Sequence, residues 1–363
     1  MVYSIYIAGT SFSGKTALCL GLYGKFQEMG LRVGFFKPVG RGLKMIDGKA
    51  RDPDAILMKE VMGLIESLDD ITPIIVGRRY LDEILQRCEY AMERVKEAYR
   101  KIGEGKDILL MESAPQPELL VSCGLDVSRL SREFSSKVIL TVRGEDDSVA
   151  ERALLYKHMI EERGGKILGV VLNFIPYQQM ERMRGVVSRA LSQCGLEVLG
   201  IVPDLRELTL PTVQEIVETL NAEVLAGERS LEALVDDFLI GAMTPESAMS
   251  WLRRSVGRAL ITGGDRTDLI LTALETRPSA IILTGNIYPS ERVLTSAEEK
   301  GVPVLLVPDD TYTTVTKLEY LDGRIYLSPK STRKIQLALK MIGDYIDLKR
   351  ILDDYVSYKE GGA

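Results

Sequence analysis

The densest chemistry in the sequence lies near its start. Gly9-Thr10-Ser11-Phe12-Ser13-Gly14-Lys15-Thr16 follows a short apolar run, YSIYIAG, and opens a helical stretch. Gly9 and Gly14 let the backbone curl so that successive N–H groups converge on an anion. A helix starting near Lys15 adds the positive end of its dipole. A lysine in that place reaches the terminal phosphates of a nucleotide, and the Thr16 hydroxyl ligates Mg²⁺. Three more residues suit the same chemistry. Lys37 ends LRVGFFK just before Pro38, and Glu112 ends DILLME. Each closes a buried-looking strand, which puts it at the carboxyl edge of an open α/β sheet, where ligands bind. Asp54, in Arg51-Asp52-Pro53-Asp54-Ala55, offers a carboxylate to Mg²⁺, with Asp52 as its competitor for that role.

Other chemistries find little support. His158 is the only histidine, and it falls in a helical stretch, ERALLYKHMIEERGG. It reads as a surface or half-buried helix residue, which argues against a Ser-His-Asp triad. Cys19, Cys88, Cys123 and Cys194 are far apart, without a C-x-x-C pair, so a zinc site is not expected. They read as reduced, mostly buried thiols of a cytoplasmic protein. Over 363 residues there are 46 Lys plus Arg and 52 Asp plus Glu, a net charge of −6. That balance carries no footprint for general nucleic-acid binding or for an anionic membrane surface. The apolar runs AIILTG and VPVLLVP are too short to span a bilayer, and MVYSIYIAGT lacks the features of a signal peptide.

The elements that must position these residues alternate. Strand-like YSIYIAG, LRVGFFK, DILLMES, KVILTVRG, KILGVVLNFIP and EVLGIVPD are separated by helical patterns around 148–163 and 177–193. YLDEILQRCEYAMERVKEAYRKIG has the 3–4 apolar spacing of one long amphipathic helix. Unbroken Val/Ile/Leu strands alternating with helices predict a parallel sheet covered on both faces. A helix is expected from Thr212 to Ala226. The polar segment GERSLEALVDDF then reads as a junction to a second, smaller three-layer α/β domain, in which Thr262-Gly263-Gly264 is echoed by Thr284-Gly285-Asn286. Gly263-Gly264-Asp265-Arg266 reads either as capping, with Asp265 the helix N-cap, or as a ligand site or subunit contact. Arg266 opposes the helix dipole and needs a partner that the sequence does not name. The expected division is a P-loop domain at 1–226, a second domain at 238–330 and a helical tail at 331–363.

Together the loop, Lys37-Pro38, the Asp52 to Ala55 stretch and Glu112 resemble dethiobiotin synthetase, over residues 1 to about 225. That resemblance implies a P-loop NTPase-type fold binding ATP and Mg²⁺, with Lys37 catalytic and Thr16, Asp54 and Glu112 at the metal. It also implies an adenine contact from Asn173 in GVVLN, and another from the loop after Gly200-Ile201-Val202-Pro203. Where the family carries a Gly-rich substrate loop, this chain has Ser113-Ala114-Pro115-Gln116-Pro117. Prolines stiffen the backbone and remove N–H donors.

Residues from about 240 to 320 resemble a DRTGG domain, although the naming string reads Asp265-Arg266-Thr267-Asp268-Leu269 here. A synthetase-like module followed by a DRTGG domain is similar to the N-terminal region of long phosphotransacetylases, where it is regulatory. The resemblance implies a stand-alone counterpart of that region. It would be an ATP- and Mg²⁺-binding regulatory protein that dimerises through the DRTGG-like domain and signals to an enzyme of acetyl-phosphate or acyl-CoA metabolism. The alternative is an ATP-dependent ligase working through a carboxyl-phosphate anhydride.

Overall fold

Six mostly apolar runs form the central sheet of this computed structural model, which describes residues 2–77, 79–254, 257–319 and 331–361. The strands are β1 (Tyr3–Gly9), β2 (Val33–Phe36), β3 (Val39–Arg41), β4 (Lys44–Ile46), β5 (Lys49–Arg51), β6 (Ile74–Val76), β7 (Ile108–Glu112), β8 (Lys137–Arg143), β9 (Lys166–Ile175), β10 (Val198–Pro203), β11 (Glu223–Ala226), β12 (Asp237–Ile240), β13 (Arg258–Gly263), β14 (Ala280–Thr284) and β15 (Val304–Leu306). The main sheet runs β10-β9-β8-β1-β7-β2 and is parallel throughout. Every residue of β1 and β7 is buried, as a sheet covered on both faces requires. From β1 the chain moves to β2 at one edge, returns through β7, and crosses to β8 on the other side. That reversal opens a crevice at the carboxyl ends of β1, β7 and β8. The register places Glu112 beside Ile7 and Thr141 beside Gly9, so the end of β7 and the last few residues of β1 and β8 lie near one another.

The second sheet runs β11-β15-β14-β13-β12, with β12 to β15 parallel and β11 antiparallel to β15. Helices Pro245–Leu252, Thr267–Leu274 and Glu291–Lys300 pack on one face around Leu260, Ile281 and Leu283. Helices Val213–Leu220 and Thr311–Glu319 cover the other face around Ile261, Ile282 and Leu305. Two separate apolar clusters on opposite faces make this a three-layer unit.

The compact units divide at Leu205/Arg206 and again at Lys334/Ile335, which differs from the expected 1–226, 238–330 and 331–363. One unit is Met1–Leu205 with Ile335–Ala363, and the other is Arg206–Lys334. The expected helix from Thr212 to Ala226 stops early. Thr212 and Glu215 form a capping box at its start, and Asn221 takes the left-handed conformation (φ 49°) at its end. Glu223–Ala226 then extends as β11, because β15 offers it an edge to pair with. The expected tail forms two helices, Thr332–Tyr345 and Leu348–Gly361. It is not a separate piece. Ile346 bridges Gly200, and the Tyr3 hydroxyl donates to Asp354 at 2.6 Å while its ring meets those of Tyr355 and Tyr358.

The long helix expected from Tyr80 is interrupted. It runs Tyr80–Ile84, tightens to a 3₁₀ turn at Leu85–Arg87, and resumes as Cys88–Gly103. Cys88 at that restart is disulfide-bonded to Cys123, with Cα atoms 5.0 Å apart. The expectation of four reduced thiols is therefore corrected, and with it the cysteine argument for a cytoplasmic location. A separation of 35 residues leaves no local trace of the pair. Cys19 is free and buried, and Cys194 is free and exposed. Among the described residues no helix is long and apolar enough to cross a membrane.

Candidate functional site at the carboxyl edge of the main sheet

Between the end of β1 and the helix Lys15–Glu28 the chain turns through the Gly-rich loop. Gly14 lies at φ 87°, and a Cβ there would meet Asn173 Nδ2 at 2.2 Å, so both the turn and the close approach demand glycine. Neighbouring strands brace the loop. Ser13 Oγ shares a 2.7 Å hydrogen bond with Thr141 Oγ1 of β8, and Asn173 Nδ2 of β9 donates to Ser13 O at 2.9 Å. No acidic residue of the helix itself lies in its first turn. Lys15 is buried. Its ammonium folds across the loop and donates to Gly9 O at 3.0 Å and Thr10 O at 2.8 Å. Burial lowers its pKa to about 8, with Glu112 pulling the other way.

Lys37 supplies a second ammonium, only 2% exposed. Asp52 Oδ1 and Glu112 Oε1 each lie 3.1 Å from its Nζ, and Asp54 Oδ2 contacts it directly. Burial alone would depress this lysine, but the three carboxylates hold it well above the usual range. Asp52 and Asp54 have separate roles. Asp52 caps the helix Pro53–Met62, accepting from Asp54 N and Ala55 N, while its other oxygen accepts from Arg41 N at 2.7 Å. The Asp54 side chain is 40% exposed and so remains open to a ligand.

Thr16 Oγ1 donates to Glu112 Oε1 at 3.1 Å, so the expected metal ligands Thr16, Asp54 and Glu112 meet around Lys37. Glu112 is buried, and its Oε2 has no hydrogen-bond partner among the described residues. Burial raises its pKa to about 7 against the attraction of Lys37. Among the described residues no group of three or more His, Cys, Asp and Glu side chains forms a cation cage. Mg²⁺ is commonly held by one or two carboxylates together with a nucleotide's phosphates. An orphaned carboxylate oxygen beside a hydroxyl has the right donor chemistry. Thr16, Glu112 and Asp54 are the residues that would hold the ion, whose contribution would be to neutralise phosphate charge.

Ser113-Ala114-Pro115-Gln116-Pro117 begins where β7 ends, with Ser113 N donating to Ile7 O at 2.9 Å. It turns acceptors inward. Ser11 Oγ of the phosphate loop donates to Pro115 O at 3.4 Å, and Val127 N donates to Pro117 O at 3.0 Å. The same stretch continues to Cys123 and its disulfide. Asn173 and Pro203 stand at the ends of β9 and β10. Both polar ends of Asn173 are engaged, one by Ser13 O and the other by Phe174 N. Sequence reasoning missed Thr141 as a brace, although a threonine inside the apolar run KVILTVR was the available signal.

In the second unit Asp265 does not cap the following helix, whose N-cap position is Arg266 without a side-chain cap. Arg266 finds its partners in backbone carbonyls, Met243 O at 3.1 Å and Gly241 O at 3.4 Å. A Cβ on Gly264 would lie 1.8 Å from Ile287 O, so this glycine serves close packing of two loops.

A parallel sheet with this loop at the end of its central strand defines a P-loop nucleotide-binding domain. Residues 3–212 match the family model described as an AAA domain, more than half of the chain, and the chain belongs to that family. Residues 215–321 match the DRTGG domain. Curated phosphate acetyltransferases are similar along nearly all of the chain. The enzyme of Nitratidesulfovibrio vulgaris is 28% identical over 375 residues, covering 96% of this chain and 51% of its own length. The chain thus spans about half the length of that relative, and it resembles the N-terminal region of long phosphotransacetylases. Among solved structures, the septum site-determining protein MinD with Mg-ADP, from Pyrococcus horikoshii, is 17% identical and covers 57% of this chain and 84% of its own, at a TM-score of 0.38. The CBS and DRTGG regulatory region of Clostridium perfringens pyrophosphatase, with diadenosine tetraphosphate, is 21% identical and covers 37% of this chain and 61% of its own, at a TM-score of 0.28.

The raised pKa of Glu112 gives the site a pH signature. The protonated acid cannot ligate a cation, so Mg²⁺-dependent nucleotide affinity should climb from about pH 6 through the Glu112 titration near 7 and decline above about pH 8, where Lys15 loses its charge. Titrations with and without Mg²⁺ in Glu112→Gln should lose most of that climb. An unchanged profile in the variant would remove Glu112 from the metal site.

Proposed function

We propose that the chain is an ATP- and Mg²⁺-binding regulatory protein. In this reading the P-loop domain senses the nucleotide, and the DRTGG domain passes its state, as a homodimer, to an enzyme of acetyl-phosphate or acyl-CoA metabolism. The observation that carries it is a complete phosphate loop, with Lys15, Lys37 and Glu112 around it, beside a segment that presents the Pro115 carbonyl instead of N–H donors. Carbonyls repel an anionic co-substrate, and prolines keep the segment from closing over a small molecule. The similarity to half of each phosphate acetyltransferase supports the metabolic link. The second reading, a ligase forming a carboxyl-phosphate anhydride, is favoured by Lys37, whose ammonium could stabilise a transferring phosphoryl group.

Calorimetry should show Mg-ATP binding that falls at least about tenfold in Lys15→Ala, because that lysine faces the ligand. Equal affinity in the variant would refute the site. With diaminononanoate and bicarbonate supplied, little or no phosphate should be released. Steady release at roughly 1 s⁻¹ or more that needs both compounds would favour the ligase.

The dimer reading draws on Ile287 and Tyr288, apolar side chains 42% and 58% exposed in one turn of the DRTGG domain. Sedimentation of the full chain should give a dimer, and Ile287→Glu a monomer. A monomeric wild type at concentrations of about 100 μM would remove the claim.

A further inference from the structure

The disulfide connects the surface of the first unit to its phosphate site. Cys88 restarts the helix that runs to Gly103, and Cys123 ends the 3₁₀ turn Val121–Cys123. The bond closes a loop of chain that contains β7 and its last residue, Glu112. Both cysteines are half-buried, and Leu85, Arg87, Val121 and Ser122 close by in sequence are exposed. A small thiol can therefore reach the two sulfurs. Exchange depends on such access, and disulfides within reach of solvent are the labile ones.

What the bond holds is the segment that meets the phosphate loop. From Glu112 the chain runs through Pro115 and Pro117 to Cys123. Many of its hydrogen bonds are internal, from Leu119 N to Gln116 O, from Val121 N to Glu118 O and from Cys123 N to Leu120 O. Its link to the phosphate loop is the bond from Ser11 Oγ to Pro115 O, which at 3.4 Å is long. Leu120 is buried and lies in the left-handed region (φ 62°). A bulky side chain keeps that conformation only where its surroundings impose it. The covalent bond at Cys123, three residues on, is such a constraint. Between β7 and the disulfide, the segment thus carries local strain and a weak grip on Ser11.

We propose that Cys88–Cys123 is a thiol–disulfide modification site that regulates the phosphate loop, with a low-molecular-weight thiol as its co-reactant. The proposal rests on the nucleotide-binding reading above. One thiolate attacks a sulfur of the pair, the S–S bond breaks, and the other cysteine leaves as a thiolate that takes up a proton. A second thiolate attacks the outer sulfur of the mixed disulfide and releases the remaining cysteine, which is protonated in turn. Two small thiols are oxidised to one disulfide, and Cys88 and Cys123 gain the two electrons and two protons. Without the tether the segment relaxes at Leu120, and Pro115 O withdraws from Ser11. The Ser11 hydroxyl then turns to a phosphate oxygen, and a carbonyl that repels that anion leaves its side. The oxidised chain therefore holds Mg-ATP more weakly than the reduced one.

The test is calorimetry of the full chain with Mg-ATP, before and after treatment with dithiothreitol, with accessible thiols titrated in the native state. Dithiothreitol should expose the thiols of Cys88 and Cys123, and affinity should rise about fivefold, the worth of one hydrogen bond. The double variant Cys88→Ser, Cys123→Ser, its fold checked by thermal unfolding, should bind as the reduced wild type does and ignore dithiothreitol. Ser11→Ala should bring the two redox forms within about twofold of each other, an effect that a disulfide serving stability alone would not produce. Equal affinity in the two forms of the wild type overturns the proposal while leaving the nucleotide site intact. So does weaker binding after reduction, a disulfide that dithiothreitol leaves closed, or an undiminished redox difference in Ser11→Ala. A chain that binds Mg-ATP in neither form overturns the nucleotide site, and this inference with it.

Discussion

The site is organised around one buried ammonium. Lys37 is almost fully removed from water, and a cation there is tolerable only if carboxylates surround it. Meeting that demand fixes four segments at once. The end of β2 brings the lysine, the start of the helix Pro53–Met62 brings Asp52 and Asp54, β7 brings Glu112, and Thr16 joins through Glu112. Removing one member of such a network leaves the others buried without compensation, at about 3–5 kcal/mol. A change at Lys37 therefore confounds folding with binding. Lys15 is the cleaner probe, because its present partners are two carbonyls of its own loop that a phosphate could replace.

Local signals carried much of this arrangement. The loop, the strand that precedes it and the two strand-ending residues Lys37 and Glu112 could be read from spacing alone, since each depends on a few neighbours in sequence. What stayed hidden depends on distant chain. Whether Asp52 or Asp54 faces a ligand turns on which one caps a helix and meets Arg41 N. The switch from helix to strand at Asn221 needs β15 as a partner. The disulfide and the return of the C-terminal helices to the first unit join residues with no periodic relation. Arg266, which wanted an unnamed partner, satisfies loop carbonyls, and Gly264 lets its loop pack against Ile287.

The same contacts bear on function. A loop that accepts hydrogen bonds and is stiffened by prolines departs from what a small anionic co-substrate would require, whereas the phosphate loop beside it is complete. The proposed reading, nucleotide binding without rapid turnover, draws on that pairing. The DRTGG unit has its own two-sided core, so each half of the chain has the makings of an independent response.

Hydrogen exchange of the full chain, with and without Mg-ATP, tests the central claim most directly, because it locates the ligand on the backbone without any substitution. The account predicts that amides of residues 10–18 slow most, since their N–H groups would point at phosphate, with a lesser effect around 203–206. Unchanged exchange at 10–18, with protection appearing elsewhere in the chain, would contradict it.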